Sequence, residues 1–339
     1  MGRHVVLAGD VGGTNVRLAL FRDGEDPVRP EGLEVLPCRN YAGLEEALRD
    51  YLARRNLQVS QACLGVAGVI AGGAMEMVNL GWKATEAGLA GALGLEAMAF
   101  INDLEATAHG IEALAPADIR VLSPGVEDPN GNRCLIAAGT GLGETGMLRI
   151  AAGYLPFHSE GGHADFGPRG EIQAELLKHL AGRGRASWER VVSGPGLAAI
   201  YAFLRDTGRG EEPAWLAERL RAEDPGRVIS EAGLSGESAL CGDALDLFVS
   251  AYGAEAGNLA LKLLATGGVY VGGGIAPKIL AKLEAGAPRG GLFLDAFWDK
   301  GRLRPVLEKM PVKVILNDRA ALLGAARVAL GRAKRRLSA

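Results

Sequence analysis

Two segments of the chain, about 128 positions apart, follow one plan. In the first, the apolar run Val5–Ala8 meets a polar turn, Asp10–Asn15, and then a second apolar run, Val16–Phe21. In the second, Leu135–Ala138 meets the glycine loop Gly139–Gly143 and then Thr145–Ile150. Short apolar runs bounded by glycine and polar turn residues read as strands joined by hairpin turns. Such a unit repeated at long range points to a duplicated architecture, each half offering one turn to a shared cleft. Glycine turns are common in hairpins, so two unrelated hairpins fit the pattern equally well.

The rest of the chain alternates strands with helices, which predicts α/β layers. A third strand is expected near Leu33–Leu36. In Gly43–Arg55, Leu44, Ala47, Leu48, Tyr51 and Leu52 recur at helical spacing, giving an amphipathic helix. Cys63–Ala67 and Ala97–Ile101 read as buried strands. The middle reads as helices over Glu171–Leu180, Gly196–Arg205, Ala214–Arg221 and Ala239–Leu264. The strand Gly268–Val271 runs into Gly272-Gly273-Gly274 and a helix opening near Pro277. Val312–Leu316 and Arg319–Leu330 add a last strand and helix. A boundary near Ala113–Asp118 divides the chain into a small α/β domain, residues 1–115 with 317–339, and a larger one, residues 116–316.

Composition narrows the functional class. Of 339 residues, 48% are hydrophobic and 23% charged, which excludes a disordered chain. A net charge of −3 supplies no basic field for nucleic acid or anionic lipid. The apolar stretch Ala62–Met75 is too short to span a bilayer, and Val5–Ala8 is too short for a signal-peptide core. Four widely spaced cysteines, Cys38, Cys63, Cys134 and Cys241, fit a reducing compartment. The expectation is a cytoplasmic protein with neither nucleic-acid nor membrane partners. The 50 glycines are about twice the usual share. They cluster beside apolar runs, where a backbone must turn tightly or approach a ligand.

Three of these clusters could hold phosphate. In Asp10-Val11-Gly12-Gly13-Thr14-Asn15, paired glycines free backbone N–H groups to converge on an anion, and Thr14 adds a hydroxyl. Asp10 makes sense there if it positions a hydrated Mg²⁺. Gly139-Thr140-Gly141-Leu142-Gly143 is a second nest of this type. Gly272-Gly273-Gly274 offers bare backbone to a nucleoside. Singly, each is a plain turn; together they favour a nucleotide. No P-loop, Rossmann fingerprint or protein-kinase motif set is present.

Polar residues stand between the clusters. Asn102 and Asp103 end an apolar strand where α/β folds present ligand groups, although Asp103 could simply cap a helix. In Glu160-Gly161-Gly162-His163-Ala164-Asp165-Phe166, a carboxylate and an imidazole flank two glycines. With no cysteine nearby, this mix suits a polyol better than a metal. Glu189 is either another hydroxyl acceptor or a helix surface charge.

Taken together, these motifs resemble the bacterial ATP-dependent glucokinase family, within the actin-like superfamily of sugar kinases. The resemblance rests on Gly9–Leu20 (GDVGGTNVRLAL), Ile101–Asp103, Ala138–Gly143 (AGTGLG), Glu160–Phe166 (EGGHADF), Glu189–Leu197 (ERVVSGPGL) and Gly272–Pro277 (GGGIAP). It implies a two-lobed actin-like ATPase (RNase H-like) fold with a mixed sheet in each lobe and the active site in the interlobe cleft. Asp10, Gly12, Gly13, Thr14 and Asn15 would form the first phosphate loop; Gly139, Thr140, Gly141 and Gly143 the second. Gly272, Gly273 and Gly274 would line the adenosine pocket. Asn102, Asp103, Glu160, His163 and Glu189 match residues that bind glucose hydroxyls, with Asp103 as catalytic base. Asn79 sits where the family places another sugar-site asparagine.

The implied reaction is transfer of the γ-phosphoryl group of MgATP to the 6-hydroxyl of glucose, by a homodimer. No structural zinc is expected, because Ala164–Arg190 lacks the cysteines that a sister group carries there. A kinase for mannose or N-acetylglucosamine is the nearest alternative. A non-enzymatic nucleotide switch is disfavoured by the sugar motifs, and a sugar-responsive repressor by the start of the chain directly on its first strand.

Overall fold

Alternation along the first strand sorts its side chains onto two faces, and both faces are covered. Leu7 and Val11 of β1 (Val5–Val11) join one buried cluster; Val6 and Ala8 join another. This pattern follows from a computed structural model, which describes residues 4–23, 29–55 and 58–337. The chain separates into two compact units, Met1–Ala115 with Asn317–Ala339, and Pro116–Leu316.

In the first unit, β1 pairs antiparallel with β2 (Asn15–Arg22), and β2 with β3 (Glu31–Pro37). After α1 (Leu44–Ala53), β4 (Gln61–Val66) returns parallel to β1. A small sheet follows, β5 (Val69–Ala71), β6 (Ala74–Met77) and β7 (Trp82–Thr85), then α2 (Glu86–Leu93). β8 (Ala97–Asn102), parallel to β4, runs without a loop into α3 (Asp103–Gly110). The sheet order is β3-β2-β1-β4-β8.

The second unit opens with β9 (Ile119–Ser123), then β10 (Arg133–Ala138), β11 (Leu142–Ile150) and β12 (Gly153–Ser159) as an antiparallel meander. The helices α4 (Gly170–Ala181), α5 (Gly194–Asp206), α6 (Ala214–Ala222), α7 (Pro225–Ser235) and α8 (Ala239–Leu263) follow. β13 (Gly268–Gly272) lies parallel to β10. After α9 (Leu280–Glu284), α10 (Leu292–Trp298) and α11 (Arg304–Leu307), β14 (Val312–Ile315) pairs with β13. The sheet order is β12-β11-β10-β13-β14-β9. Apart from β9, this repeats the first sheet strand for strand. The two glycine-turned hairpins therefore hold equivalent places, which favours duplication over two unrelated hairpins.

The last helix, α12 (Ala320–Leu337), belongs to the first unit. Its Leu322, Ala325, Ala326 and Ala329 bury against Ala8, Ala19, Cys63 and Ala99. Truncating a fully buried leucine such as Leu322 to alanine costs about 2–5 kcal/mol. Helices α3 and α12 cross so closely that a Cβ at Gly324 would lie 1.7 Å from the Ala106 carbonyl oxygen. The crossing sets the end of α3 against the start of α12, where a Cβ at Gly110 would lie 1.9 Å from the Ala320 carbonyl oxygen. Among the described residues, no helix is long and apolar enough to cross a membrane.

Candidate active site

At the turn end of β1, Asp10 and Asp318 share Arg17, and Asp103 is near enough to repel Asp10. Asp10 lies opposite Arg17 in the hairpin register, and their side chains approach to 3.5 Å. Arg17 also donates to the Asp318 carbonyl at 2.8 Å and pairs with its carboxylate at 3.1 Å. Burial, with added repulsion from Asp103 and Asp318, pushes the Asp10 carboxyl up to about 6 despite Arg17. This corner is short of positive charge.

The turn itself spans Gly12–Thr14. Gly12 donates its N–H to Asn15 O, so that group is not free for an anion, whereas among the described residues Gly13 and Thr14 donate theirs to no backbone carbonyl. Cys38 braces the turn, donating from its backbone to Thr14 O and from Sγ to Gly12 O. The Thr14 and Asn15 residues are exposed.

The helix cap falls one residue earlier than the sequence suggests. Asn102 Oδ1 accepts the N–H groups of Leu104 (2.9 Å) and Glu105 (3.3 Å), so Asn102 is the N-cap of α3. Asp103 is the first helical residue. One carboxylate oxygen, Oδ1, accepts from Leu104 N–H at 2.8 Å; Oδ2 has no protein partner among the described residues. Burial raises the Asp103 carboxyl above its ordinary value, while the Leu104 N–H opposes that rise. Asn79 stands exposed in the turn between β6 and β7, and its side chain makes no hydrogen bond to Asn102 or Asp103.

In the second unit, the glycine turn 139–141 is held from three sides. Gly139 O accepts Gly194 N–H at 2.8 Å, at the start of α5. The Tyr252 hydroxyl, fully buried, accepts Ala138 N–H and donates toward Gly272 O, each at 3.2 Å. Ile275 N–H bonds Ala138 O at 3.2 Å. Gly273 has φ +81°, and a Cβ there would lie 2.3 Å from Ala138 O, so only glycine fits. The helix expected near Pro277 begins at Leu280, because residues 273–279 are spent in turns.

Glu189 is no helix surface charge. It lies in a turn before α5, where its N–H bonds Gly162 O at 2.8 Å and its Oε2 accepts Leu142 N–H at 3.0 Å. Ser193 fixes this turn, donating to Glu189 O and accepting Gly196 N–H as the N-cap of α5. Across 26 positions, His163 Nδ1 comes to 3.8 Å from Glu189 Oε1, and His163 Nε2 lies 3.8 Å from Glu160 Oε2. Glu160, His163 and Glu189 thus form one cluster of donors and acceptors, open to solvent at Glu160. Sequence reasoning missed Tyr252, since an aromatic residue in a long buried helix carries no signal of what its hydroxyl holds.

The chain is similar to known proteins over nearly its whole length. A family model described as Glucokinase matches residues 7–332. A glucokinase of a Nostoc species is 40% identical over 95% of this chain and 98% of its own. The crystal structure of a glucokinase from an Antarctic psychrotroph superposes with a TM-score of 0.84 at 29% identity, covering 96% of this chain and 99% of that one. A glucokinase from Streptomyces griseus, crystallised with glucose and AMPPNP, shares the fold at a TM-score of 0.61 and 20% identity, over 96% and 99% of the two chains. The mixed sheets and flanking helices are those of the actin-like ATPase fold of sugar kinases. The chain belongs to the glucokinase family, whose members are ATP-dependent hexose kinases.

Proposed function

We propose that this chain transfers the γ-phosphoryl group of ATP to the 6-hydroxyl of glucose, with Asp103 as the general base. The observation that carries this reading is the division of labour at the start of α3. Asn102 caps the helix, so Oδ2 of Asp103 is free to accept a proton. A carboxyl raised by burial is better matched to that task than a solvated one.

Sugar hydroxyls need partners that donate and accept. The Asn102 amide N–H₂ can donate, since its oxygen is committed to the cap. Glu160 and Glu189 accept, His163 does either, and Asn79 offers an exposed amide. Phosphates would lie on the turns Gly12–Asn15 and Gly139–Gly143, with adenosine against Gly272–Gly274. Open space beside Gly13, Gly139 and Gly274 supports this, since a Cβ at any of them would meet nothing within 4 Å.

The corner at Asp10 fits a cation. Its carboxyl is largely buried, with Asp103 and Asp318 as like charges nearby and Arg17 as its counter-charge. Asp10 would hold Mg²⁺ through water, as part of MgATP. When bound, Mg²⁺ neutralises phosphate charge in a loose transition state.

A coupled assay over glucose, mannose and N-acetylglucosamine, with ATP, ADP or polyphosphate as donor, tests the reading. Glucose with ATP should give the highest kcat/KM. A clear preference for either other sugar would reassign the substrate.

A further inference from the structure

Behind the sugar cluster lies a pair of buried carboxyl groups that the mechanism above does not use. Glu144 on β11 is 2% exposed and Glu255 on α8 is 0% exposed. The charge of Glu255 strengthens the hold of Glu144 on a proton, as a like charge buried nearby must. The surroundings decide who holds it. Glu255 Oε2 accepts from Asn258 Nδ2 at 2.7 Å, and Lys262 Nζ lies 3.4 Å from Oε1. Lys300 Nζ reinforces that side, bonding Asn258 Oδ1 at 2.7 Å and Ala254 O at 2.9 Å. Glu144 has no such support, and its Oε1 has no hydrogen-bond partner among the described residues. Glu255 is the carboxylate and Glu144 the acid.

Glu144 also touches the sugar loop. Its Oε2 lies where a Cβ on Gly161 would come within 2.0 Å, so the carboxyl packs flat against that glycine. The Glu144 carbonyl accepts from Ser159 Oγ at 3.0 Å, and Ser159 Oγ accepts Gly161 N–H at 3.2 Å. The short turn Gly161–His163 begins directly after Glu160.

We propose that Glu144 is a positioning residue: buried beside the Glu255 carboxylate, it forms the floor on which the loop carrying Glu160 and His163 rests. The proposal rests on that loop being the sugar site. Burial and the Glu255 charge raise the Glu144 carboxyl well above the usual carboxylate range, so it keeps its proton at neutral pH. The other charged or titratable groups that act on the pair are the Cys134 thiol on β10, Lys262 on α8 and Lys300 beyond Glu255. Loss of the proton in alkali would put a second charge against Glu255 and push the loop away.

The test is sugar KM and kcat against pH, from neutral to alkaline, for the native enzyme, Glu144→Gln and Glu144→Ala. Glutamine keeps the shape but cannot ionise. Sugar KM of the native enzyme should rise in alkali, whereas Glu144→Gln should match it at neutral pH and lack the rise. Glu144→Ala should raise sugar KM roughly 10-fold or more at every pH with a smaller change in kcat, the size of one or two lost hydrogen bonds. A Glu144→Gln profile that follows the native rise, or a Glu144→Gln KM as poor as that of Glu144→Ala at neutral pH, overturns the proposal. Because glutamine itself folds as the acid does, the result stands even if Glu144→Ala fails to fold. A parallel His163→Ala variant separates the two ideas: unchanged sugar binding there removes the sugar-site assignment, not the state of Glu144.

Discussion

Oε2 of Glu189 accepts the backbone N–H of Leu142 at 3.0 Å, and this bond ties the glycine turn 139–141 to the turn that carries Glu189, a proposed sugar ligand. The same closeness constrains Gly141. A Cβ there would lie 2.5 Å from Glu189 Oε2, so what the glycine makes room for is protein before it is phosphate.

Gly141→Ala should therefore weaken sugar binding even without nucleotide. The flexible carboxylate can swing aside, so the fold should survive, but Leu142 N–H and His163 would lose their partner. Calorimetry with glucose alone checks this. A native sugar Kd with only ATP affinity reduced would show that the turn serves phosphate alone.

His163→Ala should raise sugar KM about 10-fold, the worth of one hydrogen bond to a hydroxyl, with kcat changed less. The imidazole is read as a sugar ligand, so chelator treatment followed by dialysis into Mg²⁺ should leave native activity intact. One equivalent of zinc in the native protein, lost in the variant, would make His163 a metal ligand.

How far the sequence reaches is clear from particular residues. The hairpins were legible because β1 alternates between two buried faces, as a strand covered on both sides must. Glu189 was not, since its place depends on bonds to Gly162 and Leu142 that are distant in sequence. The cap at Asn102 differs from the Asp103 reading by one residue, within the ordinary uncertainty of a helix boundary. The small sheet β5-β6-β7 escaped notice although Gly72-Gly73, between two short apolar runs, is a hairpin signal. The buried pair Glu144–Glu255 left no mark at all: two glutamates 111 positions apart give no hint that they lie buried near each other.

Tyr252→Phe removes the hydroxyl that joins the ends of β10 and β13. Ala138 N–H would then be buried without a partner, at a cost of about 1–3 kcal/mol. Urea unfolding should show that loss, and ATP KM should rise because both glycine turns start at those strand ends. A loss below about 0.5 kcal/mol, with ATP KM unchanged, would mean that the hydroxyl holds neither.

Asp10 makes a pH prediction with a definite sign. Its folded carboxyl, up to about 6, lies above the ordinary aspartate value, so the native state binds protons more tightly than the unfolded chain. Nucleotide-free protein should lose stability from this group as pH rises from about 4 to about 6. Asp10→Asn should remove that loss and stabilise the nucleotide-free protein at neutral pH by on the order of 1–2 kcal/mol. The same variant should weaken binding of MgATP more than of ATP in EDTA. Melts across this pH range and paired calorimetric titrations measure both; equal losses with and without Mg²⁺ would contradict the cation assignment.

The central claim is that Asp103 accepts the proton of the sugar hydroxyl, and kcat of Asp103→Asn measures it most directly. Asparagine keeps the bond to Leu104 N–H and leaves the Asn102 cap untouched, so the melt should hardly move. It cannot take a proton at neutral pH, so kcat should fall by about 10²–10⁴, while the calorimetric sugar Kd changes far less. A folded Asp103→Asn variant with native kcat would contradict the account.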